Sequence, residues 1–344
     1  MTTVKYFEYI RAKLKRAANK NDEITKRIQV ADFQVEFSFY SENLVPIFYN
    51  AFEHLSSIKH QQSTKILKIH FWEYQEEQIE IIWDINERHH LGYVETLSEN
   101  GFFLLHQPGS EAIYLLDQNL GEAYYLVKSA DRIPHWESDF PLRMLFHWWL
   151  KDEPYQPVHA AAVGIESGGL LLIGKGGSGK STSTLKCVNS NLKVAGDDYI
   201  LLDSEQAVAH SLFSLTKANL QSLEMLTNLS ITPESLPKPI DDKYRIRLYP
   251  RYQDNIINQV PIRACLLPQV TDQDFTSIEP CSSAEILLAL APTTLFQLPG
   301  LRQEAFTKMS NFCRNTPGYR LLLGKDSFRL PEILSQFLST CDKL

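Results

Sequence analysis

Apolar and polar residues alternate through the first third of the chain. In IQVADFQVEFSFYS, Val30, Phe33, Val35, Phe37 and Phe39 alternate with polar residues, which predicts one half-buried strand. KILKIHFW, QIEIIWDI, GFFLLHQ, AIYLLD and AYYLVK are further short β-rich runs, broken by EN-G, QPGS and QNLGE, whose Gly, Pro and Asn suit turns. With a helix at the start, these runs predict a mostly antiparallel α+β domain over residues 1–150. PLRMLFHWWL (141–150) has helical spacing, and the two prolines of DEPYQP (152–157) would not let that helix continue. The domain boundary is set there.

From 158 onward the rhythm changes to strand, glycine-rich turn, helix and strand: HAAAVGI, GGLLLIG, KGGSGKSTSTLKCV and LKVAGDDYILLD. RIRLYP, IRACLLPQV and YRLLLG then read as strands, with AEILLALA and PEILSQFL as helices able to cover the same sheet. Residues 151–344 thus predict an α/β domain, and no internal repeat or low-complexity segment interrupts it.

Composition narrows the function classes. An apolar fraction of 44% and a charged fraction of 22% are ordinary for a globular chain. The net charge of −7 argues against broad attraction to nucleic acid or anionic membrane. No run approaches the length of a membrane span, and the start lacks an apolar core with a cleavage site, so a soluble, cytoplasmic protein is expected. The basic first helix reads as a solvated face, since Glu8, Asp22 and Glu23 do not suit a targeting segment. The cysteines 187, 265, 281, 313 and 341 show no paired spacing for zinc or a disulfide framework and read as thiols.

Gly174-Lys175-Gly176-Gly177-Ser178-Gly179-Lys180-Ser181 fits the Walker A pattern of the nucleotide-binding P-loop, between an apolar strand and a helix as that pattern requires. Glycines let backbone N–H groups point inward at phosphates, and the following helix adds the positive end of its dipole. Lys180 would reach the β- and γ-phosphates, Ser181 would place its hydroxyl on Mg²⁺, and Thr182 or nearby N–H groups would hold the α-phosphate side.

Seventeen positions after Lys180 comes Asp197-Asp198, in LKVAGDDYILL. Neighbours in a strand face opposite ways, so both carboxylates serve one site only if the backbone bends, for which Gly196 is the candidate. One would then hold Mg²⁺ and the other take a proton from an attacking hydroxyl; a single magnesium aspartate with a solvated neighbour is the simpler alternative. His159, at the start of the preceding strand, is either a core residue or a site residue. His89, His90 and His147 read as loop and packing residues.

PVHAAAV, GGLLLIGKGGSGKST and AGDDYILL together resemble the kinase domain of HPr kinase/phosphorylase. The resemblance is greater to a shorter branch of HPr-kinase-like serine kinases, which includes kinases of lasso-peptide precursors. PLRMLFHWWL, SLFSLTKANL and GYRLLLGKD are also similar to that branch; the match covers about residues 141–220, with a looser one to the end. The resemblance implies a P-loop kinase domain of the HPr kinase type, ATP and Mg²⁺, and a peptide or small-protein partner with an acceptor serine. It implies an active-site role for His159, phosphate binding by Lys180, metal binding by Ser181 and Asp198, base catalysis by Asp197, and contact of Lys217 with phosphate or substrate. No nucleic-acid or membrane partner is expected, and a homo-oligomer is compatible with it.

Two features of HPr kinases proper are missing: a Glu-Val-Arg-Gly stretch after the double aspartate, and a loop rich in glycine and arginine. Lys243, Arg245 and Arg247 could supply some of that positive charge. The letters KGGSGKST also resemble the deviant Walker A of partitioning ATPases, with Lys175 reaching a partner, but no later strand ends in Asp-Thr-Pro. The Leu-Ser-Gly-Gly of ABC ATPases and the Asn-Lys-x-Asp of GTPases are absent as well. The sequence therefore predicts a kinase that transfers the γ-phosphate to serine, the alternative being a nucleotide-gated ATPase or adaptor that binds a peptide without phosphorylating it.

Overall fold

The computed structural model describes residues 2–17, 23–56, 65–75 and 79–341; Asp22 and Gln78 lie outside them. The described residues group into two compact units, 1–152 with 297–302, and 153–296 with 303–344. The architecture is mixed α/β with several sheets.

In the first unit, α1 (Thr3–Ala17) is followed by β1 (Ile24–Val30) and β2 (Phe33–Phe39). The single strand expected over 28–41 is thus two: Val30 pairs with Phe33 across a two-residue turn whose Ala31 has φ 47°. Alternation survives because paired residues of a hairpin share a face. After α2 (Leu44–Phe48) come β3 (Ile66–Glu73), β4 (Phe102–His106), β5 (Ile113–Asp117) and β6 (Glu122–Val127), then α3 (His135–Asp139) and α4 (Arg143–Trp149). The sheet order is β1-β2-β3-β6-β5-β4. It is more mixed than expected: β3 is parallel to both β2 and β6, and the other pairings are antiparallel.

Tyr6, Phe7, Ile10 and Leu14 of α1 are one apolar stripe, packed on Trp72, Leu104, Leu115 and Tyr124 of the sheet. Phe33, Phe48, Phe52, Phe71, Tyr125, Phe146 and Trp149 form ring contacts elsewhere in this unit, including Phe33 on Trp149 with centroids 5.0 Å apart. QIEIIWDI does not form the expected strand: residues 79–84 are irregular and Ile85–Glu87 is a 3₁₀ turn. Its apolar residues serve α1 instead, with the Trp83 ring edge-on to Tyr6 at 5.5 Å, and the Asp84 carboxylate accepts from the Asn86 N–H to start the turn. His147 is buried and contacts the Gly300 carbonyl through Nε2 at 3.0 Å; the His89 and His90 rings lie 3.9 Å apart in a loop.

The second unit contains β7 (Tyr155–Val158), β8 (Ala160–Ile165), β9 (Gly168–Ile173), α5 (Lys180–Cys187), β10 (Lys193–Gly196), β11 (Ile200–Asp203), β12 (Val208–His210) and β13 (Leu215–Ala218). Then follow α6 (Leu220–Glu224), β14 (Tyr244–Arg247), β15 (Gln259–Val270), β16 (Ser277–Cys281), α7 (Ser283–Leu295), α8 (Arg302–Asn315), β17 (Gly318–Leu323) and α9 (Leu330–Cys341). Nine strands form one branched sheet, and β13 and β14 make a separate two-stranded ribbon. The long β15 carries the branch point: its start pairs with β12, and the rest lies parallel between β9 and β17.

The run GGLLLI is apolar throughout because both its faces are covered. Leu170 and Leu172 belong to the cluster with Leu185 of α5 and Leu334 of α9. Leu171 and Ile173 belong to the opposite cluster, with Leu290 of α7 and Met309 of α8.

Candidate functional site

The site lies where one antiparallel ladder, β7 and β8 against β11 and β10, is interrupted. β7 pairs with β11 through Val158 and Ile200, while β8 pairs with β10 through Ala162 and Gly196. His159 is the residue between β7 and β8, and 197–199 is the segment between β10 and β11. Both therefore leave the ladder at the same level of the sheet. The freed His159 N–H donates to the buried Thr294 hydroxyl at 3.1 Å.

Asp198 makes the bend. Its φ is 62°, and the Tyr199 N–H donates to the Asp197 carbonyl at 2.7 Å, closing a three-residue turn. Gly196 was the expected bend residue, but its φ is not positive. It is needed for space instead: a Cβ there would lie 2.9 Å from the Ile200 side chain. Asp198 carries the strain of a left-handed backbone, of a kind that collects at functional sites.

The bend gives the two carboxylates opposite electrostatic surroundings. Asp197 is 1% exposed; the Thr216 hydroxyl donates to its Oδ2, and its Oδ1 has no hydrogen-bond partner. Burial and the neighbouring Asp198 charge raise its pKa to about 6, against the pull of Thr216, Ser181 and Lys180. For Asp198 burial also acts upward, but the His159 hydrogen bond and charge, with Lys217 and Lys180, outweigh it and bring the pKa to about 2. His159 Nε2 lies 3.5 Å from Asp198 Oδ1, and its buried Nδ1 has no partner. Two adjacent carboxyls thus divide into one held charged and one that accepts a proton near neutral pH.

Between β9 and α5 the glycine-rich segment 174–179 forms a tight turn. Gly179 has φ 102°, and a Cβ there would lie 2.7 Å from Leu323 Cδ1, so only glycine fits. The first bond across the start of α5 runs from the Ser183 N–H to the Gly179 carbonyl at 2.9 Å. Helix geometry therefore leaves the N–H groups of 180–182 without an acceptor one turn back, the usual basis of an anion site.

The buried Lys180 ammonium is folded onto the turn, donating to the Gly174 carbonyl and, at 3.4 Å, to that of Lys175. Burial lowers its pKa, Asp197 and Asp198 raise it, and Lys243 lowers it further. The expected reach of Lys180 toward phosphate would require it to exchange those carbonyls for phosphate oxygens. Ser178 Oγ is buried and unpartnered, whereas the Thr182 hydroxyl is 2.9 Å from that of Ser222 on α6.

A phosphate chain fits these features. Around Gly176 and Gly177 there is open space, with no atom within 4 Å of an added Cβ, and a cavity of about 480 Å³ adjoins the turn. Leu267, Pro268, Gln269 and Val270 of β15, with Ala289 of α7, line its far wall. His159, Asp197 and Asp198 do not line it, as the sheet order requires: β8 and β15 flank β9 on opposite sides. Among the described residues no group of three His, Cys, Asp or Glu side chains could hold a metal. Ser181 and Asp198 offer oxygens, and any cation there would need further ligands from its substrate.

The structure gathers Lys180, Ser181, His159, Asp197, Asp198 and Lys217 into one electrostatic neighbourhood. Sequence reasoning missed Thr216, which carried no signal beyond adjacency to Lys217, and Thr294, which is remote in the chain.

No protein-family model matches the chain, and no curated protein does. Among solved structures, the Hpr(Ser) kinase/phosphatase from Coxiella burnetii is a distant neighbour, 14% identical over 53% of this chain and 95% of that one, with a TM-score of 0.30. So loose a superposition says nothing about substrate or activity. Among the described residues no helix is long and apolar enough to cross a membrane.

Proposed function

We propose that this protein is a P-loop kinase of the HPr kinase type, using ATP and Mg²⁺ to phosphorylate a serine on a peptide or small protein. The observation that carries it is the buried carboxylate pair beside the glycine-rich turn, with Asp197 shifted up and Asp198 shifted down. A simple nucleotide switch has no need of a second carboxylate kept available for a proton.

In this reading Ser181 and Asp198 hold Mg²⁺, which neutralises phosphate charge when bound. Asp197 Oδ1 accepts the proton of the serine hydroxyl while Thr216 fixes the other oxygen. The new bond joins the serine oxygen to phosphorus, the bond to the β-phosphate oxygen breaks, and ADP leaves. Lys180 and the N–H groups at the start of α5 balance the charge that develops. His159 keeps Asp198 ionised and oriented.

Intact-mass measurement after mixing the protein with Mg²⁺-ATP and serine-containing peptides tests this. A phosphate-sized gain on the peptide is expected, absent with Lys180→Ala. Asp197→Asn should retain nucleotide and lose transfer by on the order of 10²–10⁴-fold. Full transfer by the Asp197 variant would remove the base assignment.

One observation favours a second reading. Lys180 is satisfied by the turn's own carbonyls, so nucleotide binding would rearrange the turn and could gate a partner. Slow ATP hydrolysis with no mass gain on any peptide would identify that ATPase or adaptor.

A further inference from the structure

Beside the glycine-rich turn, β15 outlasts β9. Leu266 pairs with Leu172, which sets Leu267 level with Ile173, the last residue of β9, and lets Pro268, Gln269 and Val270 run on past it. These three stay paired with Leu321, Leu322 and Leu323 of β17, so the wall they present to the turn is held by a ladder on its far side. Side chains alternate along a strand. Leu267 and Ile173 lie in the core cluster shared with Leu290 of α7, Ala289 packs against that cluster, and Gln269 takes the same face as Leu267. Val270 takes the other face, with its Cγ2 3.7 Å from where a Cβ on Gly179 would lie. The cavity of about 480 Å³ thus has an apolar floor of Ile173, Leu267 and Ala289, the exposed Gln269 at its rim and the turn as its near wall.

Strand direction fixes which part of a ligand meets which wall. β15 is parallel to β9, and β10 runs with β9 because each is antiparallel to β8. β10, β9 and β15 therefore end at one edge of the sheet, the edge at which open α/β sheets bind ligands. Along that edge come Asp197 and Asp198 just after β10, then the turn after β9, then the cavity beside β15. A phosphate that reacts beside the carboxylates belongs at the first of these positions, the phosphates behind it at the turn, and the group that the phosphate chain carries at the third. An apolar floor suits the face of a flat ring, and the cavity has the size of a small-molecule site, for which about 300–1,000 Å³ is usual. The Gln269 amide carries both a donor and an acceptor, and it can turn over to meet either the amino group of adenine or the carbonyl of guanine.

We propose that this cavity is the nucleoside subsite of the phosphate donor, a purine nucleoside triphosphate, and that it takes adenine and guanine with nearly equal affinity. The inference rests on the P-loop reading above for the position of the phosphates. Apolar contact separates a donor with a ring from one without. Separating one purine from another takes polar groups fixed in place, and an exposed, rotatable amide is not fixed.

The test is calorimetric titration of the full chain with Mg²⁺-ATP, Mg²⁺-GTP and Mg²⁺-tripolyphosphate. ATP and GTP should bind within about threefold of each other, and each at least about tenfold more tightly than tripolyphosphate. Ala289→Phe, which fills the cavity from α7, should bring both nucleotides down to the affinity of tripolyphosphate and leave tripolyphosphate unchanged. Gln269→Trp fills it from the opposite wall at an exposed position and should do the same, which guards against a disturbed α7 in the first variant. Both variants are to be compared at an unchanged Tm.

ATP binding no more tightly than tripolyphosphate overturns the proposal, because no nucleoside is then held. A preference for ATP over GTP of about thirtyfold or more overturns it too, since a fixed reader of the base would be at work. Loss of tripolyphosphate binding in both filled variants would assign the cavity to the phosphates instead. Base-tolerant binding that both variants abolish, without phosphate transfer to any peptide, would uphold this inference and sink the kinase reading. Phosphate transfer with nucleotide affinity unchanged in both variants would do the reverse.

Discussion

Asp197 and Asp198 share a sequence context and differ in chemistry because one backbone dihedral separates them. With Asp198 at φ 62°, its carboxylate meets His159, while that of Asp197 is sealed in with Thr216. If Asp197 is the base, transfer should fall as pH drops through about 6, where it becomes protonated, and plateau above. Initial rates between pH 5 and 8.5 would check this, and an acid limb near 4 would contradict it. The sign for stability is the reverse. A folded-state pKa above the unfolded value means that the folded form takes up protons on acidification, so the charged Asp197 costs stability at pH 8 and less as pH falls through about 6. Asp197→Asn should accordingly stabilise the fold at pH 8 by about 3 kcal/mol, read as a higher Tm, with the gain shrinking toward pH 4. Thermal melts of both proteins at the two pH values decide it.

At the scale of elements, each part of the site is positioned by an identifiable device. β9 is buried on both faces and delivers the turn; α5 begins where Gly179 permits a left-handed residue; β13 carries Thr216 to Asp197. Helix α7, which supplies Thr294 to His159 and Ala289 to the cavity, is started by a capping box: the Ser282 hydroxyl accepts from the Glu285 N–H at 3.3 Å, and Glu285 accepts from the Ser282 N–H at 3.1 Å. Ser282→Ala should cost about 1 kcal/mol, read as a lower urea midpoint. An unchanged midpoint would mean that packing of Ile286 and Leu290 alone holds the helix start. Most of these elements were legible as runs of apolar residues. QIEIIWDI was not, because a strand-like pattern also suits a loop whose Ile79 and Trp83 pack on a helix.

Within the second unit, the interrupted ladder of β7 and β8 against β11 and β10 brings His159 level with 197–199, and the cavity lies on the other side of β9. A nucleotide bridging the two would stabilise the folded form by mass action. Mg²⁺-ATP at about a hundred times its Kd should add about 2.7 kcal/mol. A Tm rise with wild type and none with Lys180→Ala is the expected result; a rise in both would place the nucleotide elsewhere.

By itself the sequence determined the glycine-rich turn, its flanking strand and helix, and the existence of a double aspartate, because these depend on neighbours within a few residues: side-chain period, glycine's freedom at φ 102°, and the start of a helix. Tertiary structure decided what those residues became. Thr216 lies 19 residues from Asp197 and Thr294 135 residues from His159, so no local pattern could announce either contact. The bend fell on Asp198 rather than Gly196 because Gly196 still pairs with Ala162 in the ladder and is needed for close packing against Ile200. Burial, which divides the two carboxyls into one charged and one protonatable, is a property of the assembled sheet and not of any segment of the chain.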